Sequence, residues 1–191
     1  MTDLDSEKRA LRRRMRLARD AVANREVAEA AILAAARAHI PDGAVVAGYH
    51  GVGSEVDALP LLAELHRAGH CAALPVARAD AALAFRRWRP GARLVAGAFR
   101  VPEPVDGEPI VPDVLLVPLL AFDAAGYRCG QGGGHYDRTL AALPQARTIG
   151  LAFEAQRVDT VPRDRLDKRL DLVVTERAAY GPGFARAPVA G

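Results

Sequence analysis

The sequence predicts a three-layer α/β protein: a mostly parallel, Rossmann-like sheet with helices on both faces and a helical extension at its N-terminus. Three observations carry that prediction. Residues 44–76 run strand, helix, strand, which implies parallel strands joined by a right-handed crossover. Residues 113–122, DVLLVPLLAF, form the near-continuous apolar run of a central parallel strand. A glycine-rich stretch follows and opens a helical pattern, as loops at the carboxyl ends of α/β strands do.

Residues 6–38 read as helix. Leu11, Met15, Ala18 and Val22 recur at spacings of four, three and four, which is one helical face. Ser6 is the candidate N-cap. Asn24 interrupts the run and caps a second helix reaching Ala38, before Pro41-Asp42-Gly43 turns the chain. AVVAGYH (44–50) reads as a buried strand, VDALPLLAELHRAG (56–69) as a helix stopped by Gly69, and CAALPV (71–76) as the next strand. ALAFRRW (82–88) is a more exposed strand. Residues 89–113, rich in proline and glycine, are irregular with short edge strands. HYDRTLAAL (135–143) is helical, RTIGLAF (147–153) a strand, and RLDLVVTE (169–176) the last strand. Residues 182–191 read as a frayed tail. Neither a repeat nor a linker divides the 191 residues, so one domain over 1–191 is expected.

The composition is globular, with 50% hydrophobic and 26% charged residues. A net charge of +3 is too mild to argue for nucleic acid, where a strongly basic face is expected. The basic residues are nevertheless uneven. Lys8, Arg9, Arg12, Arg13, Arg14, Arg16 and Arg19 fall within twelve residues that contain no acid. Cys71 and Cys129 make no CxxC and read as reduced thiols of a cytoplasmic protein. No signal peptide is read at the start, and the longest apolar run, Val114 to Phe122, is too short to span a membrane. Neither membrane nor nucleic acid is expected as a partner, and a monomer is.

The chemistry concentrates in RCGQGGGHYDR, residues 128–138. Four glycines let the backbone approach a ligand closely and adopt positive φ. Successive N–H groups there can form an anion-binding nest, and the following helix N-terminus adds its positive dipole end. Arg128 and Arg138 bring donors suited to phosphate. A Walker A loop is excluded because no Gly-Lys-Ser/Thr follows, and a dinucleotide GxGxxG because its third position is His135. A plain turn remains open as the alternative. Asp137 suits the first turn of a helix through the dipole, and suits equally a Mg²⁺ ion facing phosphates.

VLLVPLLAFDAAGYRCGQGGGHYDRTL (114–140) resembles the signature of the 5-formyltetrahydrofolate cyclo-ligase family: Val117-Pro118, Phe122-Asp123, Gly126-Tyr127-Arg128, the glycines 130–134 and Tyr136-Asp137. EKRALRRRMR (7–16), SEVDALPLLAELHRAGHCAALPV (54–76) and IGLAFEAQRVDTVPRDRLDKRLDLVVTE (149–176) resemble further family segments in the same order. The chain departs at Gln131 and His135, where aromatic residues are usual, at Leu166-Asp167 in place of His-Asp, and at Leu119 in place of glycine.

The resemblance implies ATP-dependent closure of 5-formyltetrahydrofolate to 5,10-methenyltetrahydrofolate, with Mg²⁺. It implies that Lys8 and Arg12 reach the ATP phosphates from the N-terminal helix. Arg128, Gly130, Gln131, Gly132, Gly133, Gly134, His135 and Tyr136 would complete the nucleotide site, with Arg128 and Arg138 as catalytic charges. Asp137 and Asp171 would hold the metal. Glu55 would bind the pterin, with His50 and residues Gln131 to His135 lining the same pocket. Phe85 and Trp88 read as apolar walls or as core. Two other readings stay open: a nucleotide-binding relative without folate turnover, and a nucleic-acid protein using the basic helix.

Overall fold

The structure is a computed structural model, and it describes residues 3–97, 101–182 and 184–188. Helix α1 (Asp3–Asp20) begins before the expected cap, with Asp3 and Asp5 in its first turn and Ser6 already inside it. Acidic residues there complement the helix dipole. The run breaks earlier than Asn24, because α1 ends at Asp20; Asn24 stands at the entry to α2 (Arg25–Arg37) in a left-handed conformation (φ 47°, ψ 40°) and its side chain makes no cap hydrogen bond. Asparagine tolerates that region better than other residues with a Cβ.

Strand β1 (Val45–Ala47) is shorter than the apolar segment around it. Helix α3 (Leu59–Arg67) starts three residues later than its pattern, with Pro60 in its first turn, and ends ahead of Gly69 at φ 92°. Strand β2 (Cys71–Val76) pairs parallel with β1, and β3 (Ala84–Trp88) returns antiparallel beside β2. The Pro/Gly-rich region carries a separate hairpin, β4 (Leu94–Ala96) with β5 (Pro102–Pro104).

The apolar run 113–122 is not one strand. Strand β6 (Val114–Pro118) lies in the central sheet. Beyond Pro118, β7 (Ala121–Phe122) pairs with β8 (Arg128–Cys129) in a small ribbon of its own. Helix α4 (His135–Ala142), β9 (Arg147–Leu151), a 3₁₀ turn (Glu154–Gln156) and β10 (Leu172–Val174) follow. Strand β10 is not the last. Strands β11 (Ala178–Gly181) and β12 (Phe184–Pro188) follow it as an antiparallel pair, so Phe184–Pro188, within the tail expected to fray, pair with β11. Gly183 and residues 189–191 of that expected tail lie outside the described residues.

The main sheet has eight described strands in the order β12-β11-β10-β9-β6-β1-β2-β3. Strands β10, β9, β6, β1 and β2 run parallel, and antiparallel strands close both edges. On one face Ile32 of α2 and Leu61, Leu62 and Leu65 of α3 pack on Val46, Leu74, Leu116 and Ile149. On the other, Leu140 and Leu143 after the glycine loop pack near Leu115, Val117 and Val173. This is the expected three-layer arrangement. Helix α1 lies over the β7–β8 ribbon, where Leu11 and Met15 meet Leu120, Ala121 and Cys129. Phe85 and Trp88 are both buried core residues. No helix among the described residues is long and apolar enough to cross a membrane.

Candidate active site

Strands β1 and β6 are parallel neighbours, so the segments leaving their carboxyl ends meet. From β1 come His50 and Glu55. From β6, by way of the ribbon, comes the glycine loop. Helix α1 closes the third side, because burying Leu11 and Met15 turns the adjacent stripe Lys8, Arg12, Arg16 and Arg19 toward the loops.

The contacts join these parts directly. Arg12 Nε donates to the Gly130 carbonyl at 2.9 Å, and Arg16 Nη2 donates to Gln131 Oε1 at 2.8 Å. Gln131 Nε2 in turn donates to Glu55 Oε1 at 3.1 Å. One loop side chain therefore bridges the basic helix and the carboxylate from the other loop. Gly132 has φ 107° and Gly134 φ 66°, both in the left-handed region where a Cβ strains the backbone. A Cβ at Gly134 would also come within 2.8 Å of Arg138 Nη1. Arg138 curls back over the loop, its Nη2 donating to the Gly133 carbonyl at 2.8 Å and its Nε to Ala81 O at 3.2 Å. His135 Nδ1 lies 3.2 Å from the same Ala81 oxygen.

Arg128 is buried. Its Nη1 donates to the Lys168 carbonyl at 2.5 Å and its Nη2 to Asp137 Oδ1 at 2.9 Å. That Asp137 oxygen also accepts from Lys168 N at 3.1 Å. Lys8 Nζ stands 2.5 Å from Asp167 and 3.8 Å from Asp164. Two cations expected at phosphates are thus paired with carboxylates: Lys8 with Asp167 and Asp164, and Arg128 with Asp137 in the first turn of α4. Burial raises the Tyr136 phenol, and the Glu55 charge raises it further, so it stays neutral. Burial also pushes the Cys129 thiol up, against the pull of Arg12 and Lys8, which suits a packing residue better than a nucleophile.

The two carboxylates expected at a metal sit differently. Asp137 keeps Oδ2 outside any described hydrogen bond, at the N-terminus of α4. Asp171 accepts from Thr148 N and Thr148 Oγ1, both at 2.8 Å onto Oδ2, where β9 and β10 begin. No bond joins Asp171 to Asp137, and no group of three or more His, Cys, Asp or Glu among the described residues forms a metal cluster. Asp137 fits a Mg²⁺ that takes its other ligands from phosphate oxygens and water. Asp171 is committed to the strand start through one oxygen.

His50 is half-buried after β1, with Nδ1 2.9 Å from the Gly51 carbonyl. Glu55 precedes α3 and accepts Val52 N at 3.2 Å on Oε2. Behind it stands Arg19, which composition alone reads as one more solvated base. The spacing of Arg12, Arg16 and Arg19, four then three, is the signal that places it on the same face. The link from Lys8 to Asp167 has no local signal, since 159 residues separate the two. A cavity of about 710 Å³ lies elsewhere, at the opposite end of β2, bordered by His70, Trp88, Arg89 and Arg93. It shares no residue with the loop cluster.

The profile of the 5-formyltetrahydrofolate cyclo-ligase family matches residues 4–176. The chain is 38% identical to the 5-formyltetrahydrofolate cyclo-ligase of Escherichia coli K12 over 139 residues, covering 68% of this chain and 76% of that protein. It is 38% identical to the one of Mycolicibacterium smegmatis over 148 residues, covering 71% and 75%. Among solved structures, the 5,10-methenyltetrahydrofolate synthetase of Aquifex aeolicus superposes with a TM-score of 0.75 at 29% identity, covering 94% of this chain and 95% of that one. A Mycoplasma pneumoniae 5,10-methenyltetrahydrofolate synthetase shares the fold, with a TM-score of 0.72 at 24% identity over 89% and 99%. A basic helix laid against a glycine loop, a carboxylate bridged to that loop, and matches of this length agree: the chain belongs to the 5-formyltetrahydrofolate cyclo-ligase family.

Proposed function

We propose that this enzyme uses ATP to close 5-formyltetrahydrofolate to 5,10-methenyltetrahydrofolate, with release of ADP and phosphate. The observation that carries the reading is the Gln131 bridge. Arg16 holds one end of its amide and Glu55 the other, which supports a single site in which the loop takes phosphate and the carboxylate takes the pterin.

The chemistry needs activation first, because a formamide oxygen leaves poorly. The formyl oxygen attacks the γ-phosphorus, the bond to the β-phosphate bridging oxygen breaks, and ADP leaves. The N5 lone pair supports the resulting imino-phosphate. N10 then adds to the formyl carbon and loses its proton, and the C–O bond breaks to expel phosphate. Phosphoryl transfer asks a protein mainly for alignment and charge. Lys8 and Arg12 supply charge from α1, and Arg128 and Arg138 from the two ends of the loop. The backbone N–H groups from Gly130 through Tyr136 supply donors. Bound Mg²⁺ would neutralise phosphate charge, with Asp137 as its protein ligand and Asp171 as a second one reached through its remaining oxygen. Glu55 accepts the pterin's paired N–H donors, and His50 lines the same pocket. On this reading the partners are small molecules and the protein works as a cytoplasmic monomer.

The test is an absorbance assay for methenyltetrahydrofolate with 5-formyltetrahydrofolate, ATP and Mg²⁺, alongside Arg128→Ala and Asp137→Ala. Product that requires ATP and falls by at least ~100-fold in both variants supports the reaction and the site together. Product indifferent to both changes keeps the reaction and removes the residue assignment. ATP binding without product favours a relative that binds nucleotide but has lost turnover, with Gln131, His135 and Leu166 the departures to revert.

A further inference from the structure

Among the described residues two buried side-chain atoms lack a hydrogen-bond partner: Arg19 Nη1 and the Tyr49 hydroxyl. Such atoms are scarce in folded proteins and ask for a reason. Both belong to the surroundings of Glu55. Arg19 Nη1 stands 3.5 Å from Glu55 Oε1, at ion-pair distance but without hydrogen-bond geometry. Glu55 is also the strongest charge acting on the Tyr49 phenol, which burial and that charge both push up.

The surrounding bonds brace this corner. Arg19 is 5% exposed, and its Nε donates to Ser54 Oγ at 3.0 Å. The Arg19 carbonyl accepts from Arg25 Nη2 at 2.6 Å, and Arg25 Nη1 donates to the Ser54 carbonyl at 2.9 Å. The Ser54 hydroxyl donates to Asp20. The end of α1 and the start of α2 thus grip the residue just before Glu55.

The Glu55 carboxylate therefore has a fixed back and an exchangeable front. Arg19 and the Val52 N–H hold the back. The amide of Gln131, from an exposed loop position, holds the front. A ring with paired N–H donors can take the place of that amide. The Glu55 side chain is already only 10% exposed, so such a ring would remove its last water. A carboxylate desolvated in this way is tolerable only with a cation beside it.

We propose that Arg19 is a positioning residue of the folate site, holding the Glu55 carboxylate in place and supplying the counter-charge that lets a pterin ring cover it. The inference rests on Glu55 being the pterin's partner.

Steady-state kinetics of Arg19→Met, Arg19→Lys, Glu55→Gln and the Arg19→Met/Glu55→Gln double variant, with each substrate varied separately, tests it. Arg19→Met is expected to raise KM for 5-formyltetrahydrofolate by about tenfold or more while KM for ATP stays within about twofold. Arg19→Lys, which keeps the charge, recovers most of that loss. The double variant is no worse than Glu55→Gln alone, because Arg19 acts through that carboxylate. If Arg19→Met does not fold, Arg19→Gln carries the same expectation, since it keeps a donor and drops the charge. Equal rises in both KM values, or losses that add in the double variant, would make Arg19 a brace of the fold and overturn the proposal. An unchanged folate KM in Glu55→Gln defeats the pterin reading itself. A raised folate KM in Glu55→Gln beside an unchanged one in Arg19→Met defeats only the role of Arg19.

Discussion

Arg128 shows how much one side chain can carry. It ties the loop to Lys168 and to Asp137, with its own side chain 4% exposed and that of Asp137 31%. Replacing it with alanine strands the Lys168 carbonyl and leaves Asp137 without its cation. Arg128→Ala is expected to lower unfolding stability by about 2 kcal/mol, discounted from a fully buried pair because Asp137 still sees water. Urea denaturation measures this, separately from the loss of turnover. Tyr49 makes the opposite case. Its hydroxyl is buried without a partner, so Tyr49→Phe is expected to leave stability unchanged or raise it by up to about 1 kcal/mol, read as a thermal midpoint. At this scale the sequence disclosed the glycine loop, Arg128 and Asp137, because glycine density and flanking charge are local. It did not disclose that Arg19 is buried. A base within a basic run looks solvated until a distant carboxylate is known to face it.

Elements were legible in type and less so in extent. A break between two helices near Asn24 is readable from a residue that favours turns within the run, though α1 ends already at Asp20, and the φ of 47° at Asn24 marks where α2 begins. Asn24→Ala is expected to cost about 1 kcal/mol and Asn24→Gly to cost little, since only glycine enters that region freely. Equilibrium unfolding of the two variants compares them. The run 113–122 reads as one strand and divides into two for a different reason. Apolar character reports burial, not which sheet receives the residues, and Pro118 ends the pairing in the middle of the run. Gly150, inside β9, marks the cost of close packing. A Cβ there would meet Leu119 and Leu170 side chains at 2.7 Å. Gly150→Ala is expected to destabilise by about 1–3 kcal/mol through overpacking, measurable in urea.

For the whole molecule, the parallel centre followed from the strand-helix-strand pattern, and the antiparallel edges did not. Strands β3, β11 and β12 each pair with the strand just before them in the chain, and alternation in the sequence does not tell such a return from a parallel crossover. If the site holds nucleotide as proposed, binding must stabilise the entire fold. ATP at about 100 times its Kd is expected to add about 2.7 kcal/mol, seen as a rise in the thermal midpoint that shrinks in Lys8→Ala at the same ATP concentration.

The reach of α1 has one more consequence. Arg12 meets Gly130 across 118 positions of chain, and Lys8 meets Asp167 across 159. During synthesis the first helix emerges long before its partners exist. A ribosome-bound chain stopped before the glycine loop has made the basic helix and Glu55 but has nothing to close them with. If these contacts frame the proposed nucleotide site, capture waits for both late segments, and arrested chains of increasing length are expected to bind ATP only once residues 128–138 and 164–168 have cleared the exit tunnel.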